Sequence, residues 1–374
     1  MKTLRNIALL AIVGSVLMFA GCEEEESTKT IEKEEAEQVL SSNSEDMASD
    51  LDQMANSEGM EAMNILVGLT EKNDPFAQKK SLGGESVVST LQEALRTSEN
   101  KIARRKSSQP FPFDDLTGTY TWESYKTWTV QQDNPPDAIV IEFPTDTTVE
   151  SPENNATLTL SSYDEKMITD SSGNEEYVPT LIDATLEVNG NKVAEISWEL
   201  SMEQVNNETP VLNSMNASIY LKPFTYNLEL TQSSLLATMS SDNVESDILA
   251  LDIDVTFMDN MEDVKKVQGS VKIRNIQFKG WIKPYAMENI DTESITSTGD
   301  LVDYYNQQID VSVFRADNGN KLADIKFIED TDSQNEVPME LVFVFKNGDT
   351  EPVEGYFQNV MEKIQQHLNR YNVS

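Results

Sequence analysis

Ile182-Asp183-Ala184-Thr185-Leu186-Glu187-Val188-Asn189-Gly190-Asn191-Lys192-Val193-Ala194-Glu195-Ile196-Ser197-Trp198-Glu199-Leu200 decides how this chain folds. Ile182, Ala184, Leu186 and Val188 alternate with Asp183, Thr185 and Glu187, and the strand period of two sends the two sets to opposite faces. Asn189-Gly190 supplies the positive backbone angles of a type I′ hairpin turn. On the way back Ala194, Ile196, Trp198 and Leu200 alternate with Glu195, Ser197 and Glu199. One apolar and one wet face marks antiparallel sheet, because a buried parallel sheet reads as unbroken apolar runs.

The same texture extends in both directions from this hairpin. Leu249, Leu251, Ile253, Val255 and Phe257 repeat the alternation. In the strand from Val271 the phase slips near Asn275, where Val271 and Ile273 give way to Ile276 and Phe278, and this reads as a β-bulge. Asn318-Gly319-Asn320-Lys321-Leu322-Ala323-Asp324-Ile325 echoes the octet from Asn189 to Ile196 and predicts a second hairpin of the same kind. Residues 111–290 are therefore expected to form a curved antiparallel meander. The polar stretch Asp291 to Gly299 serves as a joint to a smaller C-terminal α+β unit, residues 291–374. That unit should hold a short helix near Leu301 to Gln307, the second hairpin and an apolar strand from Leu341 to Phe345. A final helix would turn Phe357, Val360, Met361, Ile364, Leu368 and Tyr371 inward. The fold class is α+β, dominated by β. Helices do not alternate with strands, which argues against a parallel α/β fold.

Residues 47–110 are expected to be helical. Met47, Leu51, Met54, Ala55, Ala62, Met63 and Leu66 recur at helical spacing, with Gly59 a weak point among them. After Asn73-Asp74-Pro75 a further helix is predicted from Glu85 to Lys106, with Val87, Val88, Leu91, Ala94, Leu95 and Ile102 as its apolar face. Lys101, Arg104, Arg105 and Lys106 fall in its last turns, where cations meet the negative end of the helix dipole. Ser107 to Pro112 reads as a linker.

The N-terminus carries the most specific motif. Lys2 and Arg5 precede an apolar run from Ile7 to Phe19, too short to cross a bilayer, which takes about 20 residues. Phe19-Ala20-Gly21-Cys22 then reads as a lipobox. Residues 1–21 are the expected signal peptide, and Cys22, the one cysteine in the chain, is the expected acylation site. Glu23-Glu24-Glu25-Glu26 and the glutamates up to Glu37 suggest an acidic, solvated tether over residues 22–46.

Composition narrows the function. Among 374 residues 28 are basic and 65 acidic, a net charge of −37 that repels nucleic acid. A single cysteine excludes an intramolecular disulfide and a thiolate metal cluster, and the single histidine, His367, excludes a site built on two imidazoles. Asp252 and Asp254 share a strand face but stand opposite the apolar stripe, in solvent. The acidic groups around them, Asp242, Glu245 and Asp247 before and Asp259, Glu262 and Asp263 after, lack the ligand alternation and glycine of an EF-hand loop. No phosphate-cradling loop, nucleophile elbow or zinc-protease motif is present, and neither a cofactor nor a metal is expected.

Tyr120, Trp122, Tyr125 and Trp128 form the densest aromatic cluster and are the expected ligand contacts. Tyr120 and Trp122 share a strand face and could stack on a sugar ring, though aromatics at period two also serve as core. Trp281 has the same two readings.

The lipobox with acidic residues behind it, the helical leader ending in Asn73-Asp74-Pro75-Phe76, and Asp115-Leu116-Thr117-Gly118-Thr119-Tyr120-Thr121-Trp122 together resemble a broad group of uncharacterised Bacteroidota lipoproteins. The resemblance implies an outer-membrane location facing the cell exterior and a β-rich body, and it carries over no activity. The expected function is a non-catalytic surface module, membrane-anchored through Cys22, that binds a glycan or another small ligand or plays a structural part. The alternatives are a carrier of apolar ligands under a curved sheet and a glycoside hydrolase built on two carboxylates.

Overall fold

A computed structural model describes residues 29–72, 110–123, 127–131, 137–148, 152–169, 175–203, 211–258, 263–290, 295–330, 339–358, 360 and 362. Cys22 with the signal peptide, the helix expected over 85–106, Tyr125, His367 and most of the terminal helix lie outside the described residues.

The helices are α1 (Lys33–Ala55), α2 (Glu58–Lys72), α3 (Phe113–Leu116), α4 (Pro284–Glu288) and α5 (Thr298–Asn306). The strands are β1 (Gly118–Trp122), β2 (Trp128–Gln131), β3 (Ile139–Phe143), β4 (Ala156–Thr169), β5 (Glu175–Val188), β6 (Asn191–Glu203), β7 (Val211–Leu221) and β8 (Phe224–Thr231). They continue as β9 (Ser234–Ser241), β10 (Val244–Phe257), β11 (Val264–Ile273), β12 (Ile276–Ile282), β13 (Ile309–Arg315), β14 (Lys321–Glu329), β15 (Met339–Val344) and β16 (Thr350–Pro352). All sixteen belong to one sheet, in the order β16 down to β3 and then β1 and β2. The β-dominated α+β class is thus the one the alternation predicts. One pairing breaks the antiparallel rule, since β1 runs parallel to β3 from Gly118↔Ile139 to Thr121↔Glu142. Both edge strands are short and β16 ends in Pro352, which limits edge-to-edge pairing with other chains.

The chain divides into two compact units, and the boundary falls near Gln232 rather than at 290. The first comprises Asn56–Gln232 with Ser241–Asn243. The Asn189-Gly190 turn forms as the sequence predicts, with φ of 52° and 72°, and joins β5 to β6 in the register Ala184↔Ile196 and Ile182↔Trp198. The inward residues of β3 to β7 close a core with Ala62, Met63 and Leu66 of α2. The helix starts at Ser57, whose Oγ accepts the Met60 amide (3.3 Å). Gly59 is not the weak point. A Cβ there would stand 2.6 Å from the Val193 carbonyl oxygen, so glycine is what lets α2 lie close on β6.

The second unit comprises Met1–Ala55, Ser233–Ser240 and Val244–Ser374. Two expectations are corrected here. The C-terminal strands form no separate sheet: β13 continues from β12 in the register Phe278↔Val313 and Ile282↔Ile309. The slip at Asn275 is no bulge. Arg274 and Asn275 make a two-residue turn between β11 and β12, closed by Ile273↔Ile276, with Arg274 at φ 52°. Arginine seldom occupies that backbone region, so the turn had no sequence signature. The echoing hairpin does form between β13 and β14, but with a wider turn in which the Arg315 amide donates to Asn320 O (2.8 Å).

The acidic tether is also shorter than expected. Lys29 to Ile31 already lie along β14, with a parallel bridge from Thr30 to Lys321 and the Ile31 amide donating to Lys321 O (3.1 Å). From Lys33 the chain is helical, and Ile31, Ala36 and Leu40 are buried in the core of this unit. The glutamates occupy the other side of the helix, where Glu35 pairs with Arg315 (3.2 Å) and Glu37 with Lys33 (3.4 Å). The burial of these three apolar residues outweighs the acidic composition.

Candidate functional site

The aromatic residues expected to contact a ligand lie mostly inside the first unit. Tyr120 and Trp122 do share a face of β1, and it is the buried face, with exposures of 1% and 8%. The Tyr120 hydroxyl donates to Leu116 O (2.7 Å), and desolvation by burial pushes its pKa up to about 12. Trp122 meets the half-buried Trp128 edge to face, with ring centroids 5.0 Å apart. These rings close the end of the core, and neither Tyr120 nor Trp122 offers a free face to a sugar. Tyr125 lies outside the described residues.

A carrier would need a cavity. The first unit has an apolar recess between Met63 of α2 and Leu158, Ala184, Leu186, Ile196, Ile219 and Leu221 of the sheet, with a free volume of only about 30 Å³. That is the room of about one water molecule, far below a ligand pocket of several hundred Å³. Among the described residues no three His, Cys, Asp or Glu side chains converge to hold a metal ion.

Among the described residues, the faces of the sheet turned away from the two cores differ between the units. In the first unit the wet face of β5 to β8 is acidic and hydroxylated. Glu199, Asn216 and Glu229 stand in one cross-strand row, and Ser197, Ser218 and Asn227 in the next. Ser197 Oγ donates to Asp183 Oδ1 (2.8 Å), and Ser218 Oγ lies 2.9 Å from Asn227 Oδ1.

In the second unit the wet face carries aromatic rings under lysines. The burial of Ile276, Phe278 and Ile282 puts Gln277, Lys279, Trp281 and Lys283 on the solvent side. The half-buried Trp281 has Lys283 Nζ 4.7 Å and Lys266 Nζ 5.6 Å from its ring centroid. Two residues before Trp281 on β12, Lys279 Nζ stands 5.8 Å from the ring of Phe314 on the neighbouring β13. Neither Trp281 nor Phe314 belongs to the hydrophobic core of the unit. Of Trp281's two readings, the solvent-side one applies, and the alternation through Ile276-Gln277-Phe278-Lys279 carried that signal. The lysines were not legible as its partners, because Lys266 reaches the ring only through the β11–β12 register, Gln268↔Trp281.

The chain matches no known protein family, no curated protein and no solved structure. Among the described residues no helix is long and apolar enough to cross a membrane.

Proposed function

We propose that this chain is a non-catalytic lipoprotein of the outer membrane, acylated at Cys22, that presents the wet face of its sheet to the cell exterior as a binding surface. The observation that carries the reading is the sheet itself. One face of each unit is closed over a core, and among the described residues the opposite face carries rows of polar side chains across neighbouring strands. Surfaces of this kind suit recognition of an extended partner better than turnover of a small substrate.

The position of Lys29 supports a close attachment. Only seven peptide links separate Cys22 from Lys29, whose carbonyl accepts the Lys321 amide (3.1 Å). Fully extended, such a link spans at most about 25 Å, so the acylated cysteine would hold the folded body near the headgroups rather than at the end of a long stalk.

The test is fractionation of cells carrying Cys22→Ser, with fatty-acid labelling of the wild type. Release of the variant to the soluble fraction and loss of label are expected. A Cys22→Ser protein that stays with the membrane, or an unlabelled wild type, would refute the anchor. Protease accessibility of the wild type in intact cells reads the outward orientation. Release of reducing sugar from a glycan panel by the full-length protein would overturn the non-catalytic reading.

A further inference from the structure

We infer that the wet face of β11 and β12 is a binding site for an acidic polysaccharide, with Trp281 as the stacking ring and Lys266, Lys279 and Lys283 as the cations that take its charge. The inference deepens the proposed binding role and rests on it.

Charge distribution is the first argument. On this face β11 presents Lys266, Gln268, Ser270 and Lys272, and β12 with its continuation presents Gln277, Lys279, Trp281 and Lys283. Four lysines and no carboxylate occupy two adjacent strands of a chain that has 65 acidic residues against 28 basic ones. The nearest carboxylates of this face stand on other strands, Asp252 and Asp254 on β10 on one flank, Asp310 on β13 and Asp324 on β14 on the other. Asp324 is already engaged by Lys321 (2.7 Å) and Ser312 (2.6 Å).

The second argument is what these lysines leave undone. Elsewhere in the second unit Lys33, Arg274, Arg315, Lys321 and Lys346 each pair with a carboxylate. Among the described residues Lys266, Lys279 and Lys283 make no ion pair. Their ammonium groups stand over aromatic rings, and Lys266 also donates to Gln268 Oε1 (2.8 Å). A cation over an indole keeps most of its charge available to an incoming anion, whereas a cation in an ion pair does not.

The third argument is geometry. Trp281 lies opposite Asp310 and Phe314 lies opposite Gln277, so the two rings are four residues apart along β13, about 13 Å at the strand rise. Lys279 falls between them. Ring, cation and ring across two neighbouring strands suit a linear chain of sugars in which each pyranose offers a face for stacking and a carboxylate for a lysine. A compact anion would use the lysines and leave the rings idle. The field of the whole acidic chain opposes any polyanion, and it opposes duplex nucleic acid, with a charge every ~1.7 Å of its axis, more than a uronic-acid polymer with one charge per sugar.

The experiment is affinity gel electrophoresis of the full-length protein in detergent, with polygalacturonate, dextran, polyglutamate or oligo-dT in the gel. Retardation by polygalacturonate and not by dextran is expected. Trp281→Ala and the pair Lys266→Gln/Lys283→Gln should each weaken it at least tenfold, and added salt should weaken the wild type. Circular dichroism checks that the variants stay folded, which their place on the solvent side favours. Equal retardation by dextran, stronger retardation by polyglutamate or oligo-dT, or retardation by polygalacturonate that the variants keep would each overturn the inference. So would no retardation at all. None of these outcomes touches the Cys22→Ser fractionation, and binding of a different partner that survives Trp281→Ala would leave the binding module standing with its site elsewhere.

Discussion

Nε and Nη2 of Arg274 both donate to the carboxylate of Asp50, a residue 224 positions earlier in the chain. Asp50 is buried to 3% exposure on α1, and Arg274 sits at the turn between β11 and β12. Beside them Asn43 Oδ1 accepts the Asn275 amide (2.8 Å). This paired fork fixes the helix on the sheet end of the second unit and holds Arg274 in its left-handed backbone conformation.

Removing one partner should therefore cost more than a surface ion pair. Asp50→Ala leaves a guanidinium without its counter-charge and is expected to destabilise the protein by about 3–5 kcal/mol, whereas replacing both partners by apolar residues of similar size should cost much less. Denaturant unfolding of Asp50→Ala, Arg274→Met and the double variant measures the coupling. A single-variant loss within about 0.5 kcal/mol would show that the pair holds nothing in place.

How much of this was legible in the sequence depends on distance along the chain. The hairpin at Asn189-Gly190 was legible because its turn chemistry and the paired stretch from Leu181 to Glu199 lie within about twenty residues. The Arg274 turn was not, since what holds it is Asp50 and Asn43, and no local pattern records a partner more than two hundred positions away. The tether expected over 22–46 gives way to a helix from Lys33 for a different reason. Glutamates set the composition there, while Ile31, Ala36 and Leu40 set the packing, and burying three apolar side chains outweighs a solvated acidic face. The aromatic cluster divided as its period of two allows, with Tyr120 and Trp122 inside, and Trp281 came out on the wet side by the same alternation.

Tyr120 gives a prediction with a sign. Its pKa is raised from the ordinary 10 to about 12, chiefly by desolvation. A raised folded-state value means that the neutral group's contribution is complete below the unfolded pKa and is lost as pH climbs through the folded one. Stability should therefore fall between about pH 10 and 12 partly on account of this hydroxyl. In Tyr120→Phe the Leu116 carbonyl loses its donor, so the variant should start lower by about 1–2 kcal/mol and fall less steeply across that window. Urea titrations at a series of alkaline pH values test it. Parallel losses in both proteins would assign the alkaline step to other groups.

Two glycines of α2 should respond oppositely to one substitution. At Gly59 a new Cβ would press on the backbone of β6, 2.6 Å from Val193 O, and Gly59→Ala is expected to cost about 1–3 kcal/mol. At Gly68 nothing lies within 4 Å, and Gly68→Ala should gain about 0.5–1 kcal/mol from the lower entropy of the unfolded chain. Thermal unfolding of the two variants side by side decides it, and the reverse order would mean that α2 does not rest on β6 at Gly59.

Salt should stabilise the protein even though it weakens the visible ion pairs. Lys346–Glu32, Arg315–Glu35 and Lys192–Glu195 are largely solvent-facing, and pairs of that kind contribute about 0–1 kcal/mol each. Against them stands the repulsion among 65 acidic groups that 28 basic ones cannot neutralise. Raising NaCl from about 10 mM to about 1 M shortens the Debye length from about 30 Å to about 3 Å, and both effects shrink. Repulsion is the larger sum because every excess carboxylate takes part in it, so the melting temperature is expected to rise. MgCl2 should raise it at lower concentration than NaCl, since a divalent cation screens more strongly and associates with neighbouring carboxylates without needing a built site. A melting temperature flat across the salt series would mean that the acidic groups stand too far apart for their net repulsion to weigh on the fold.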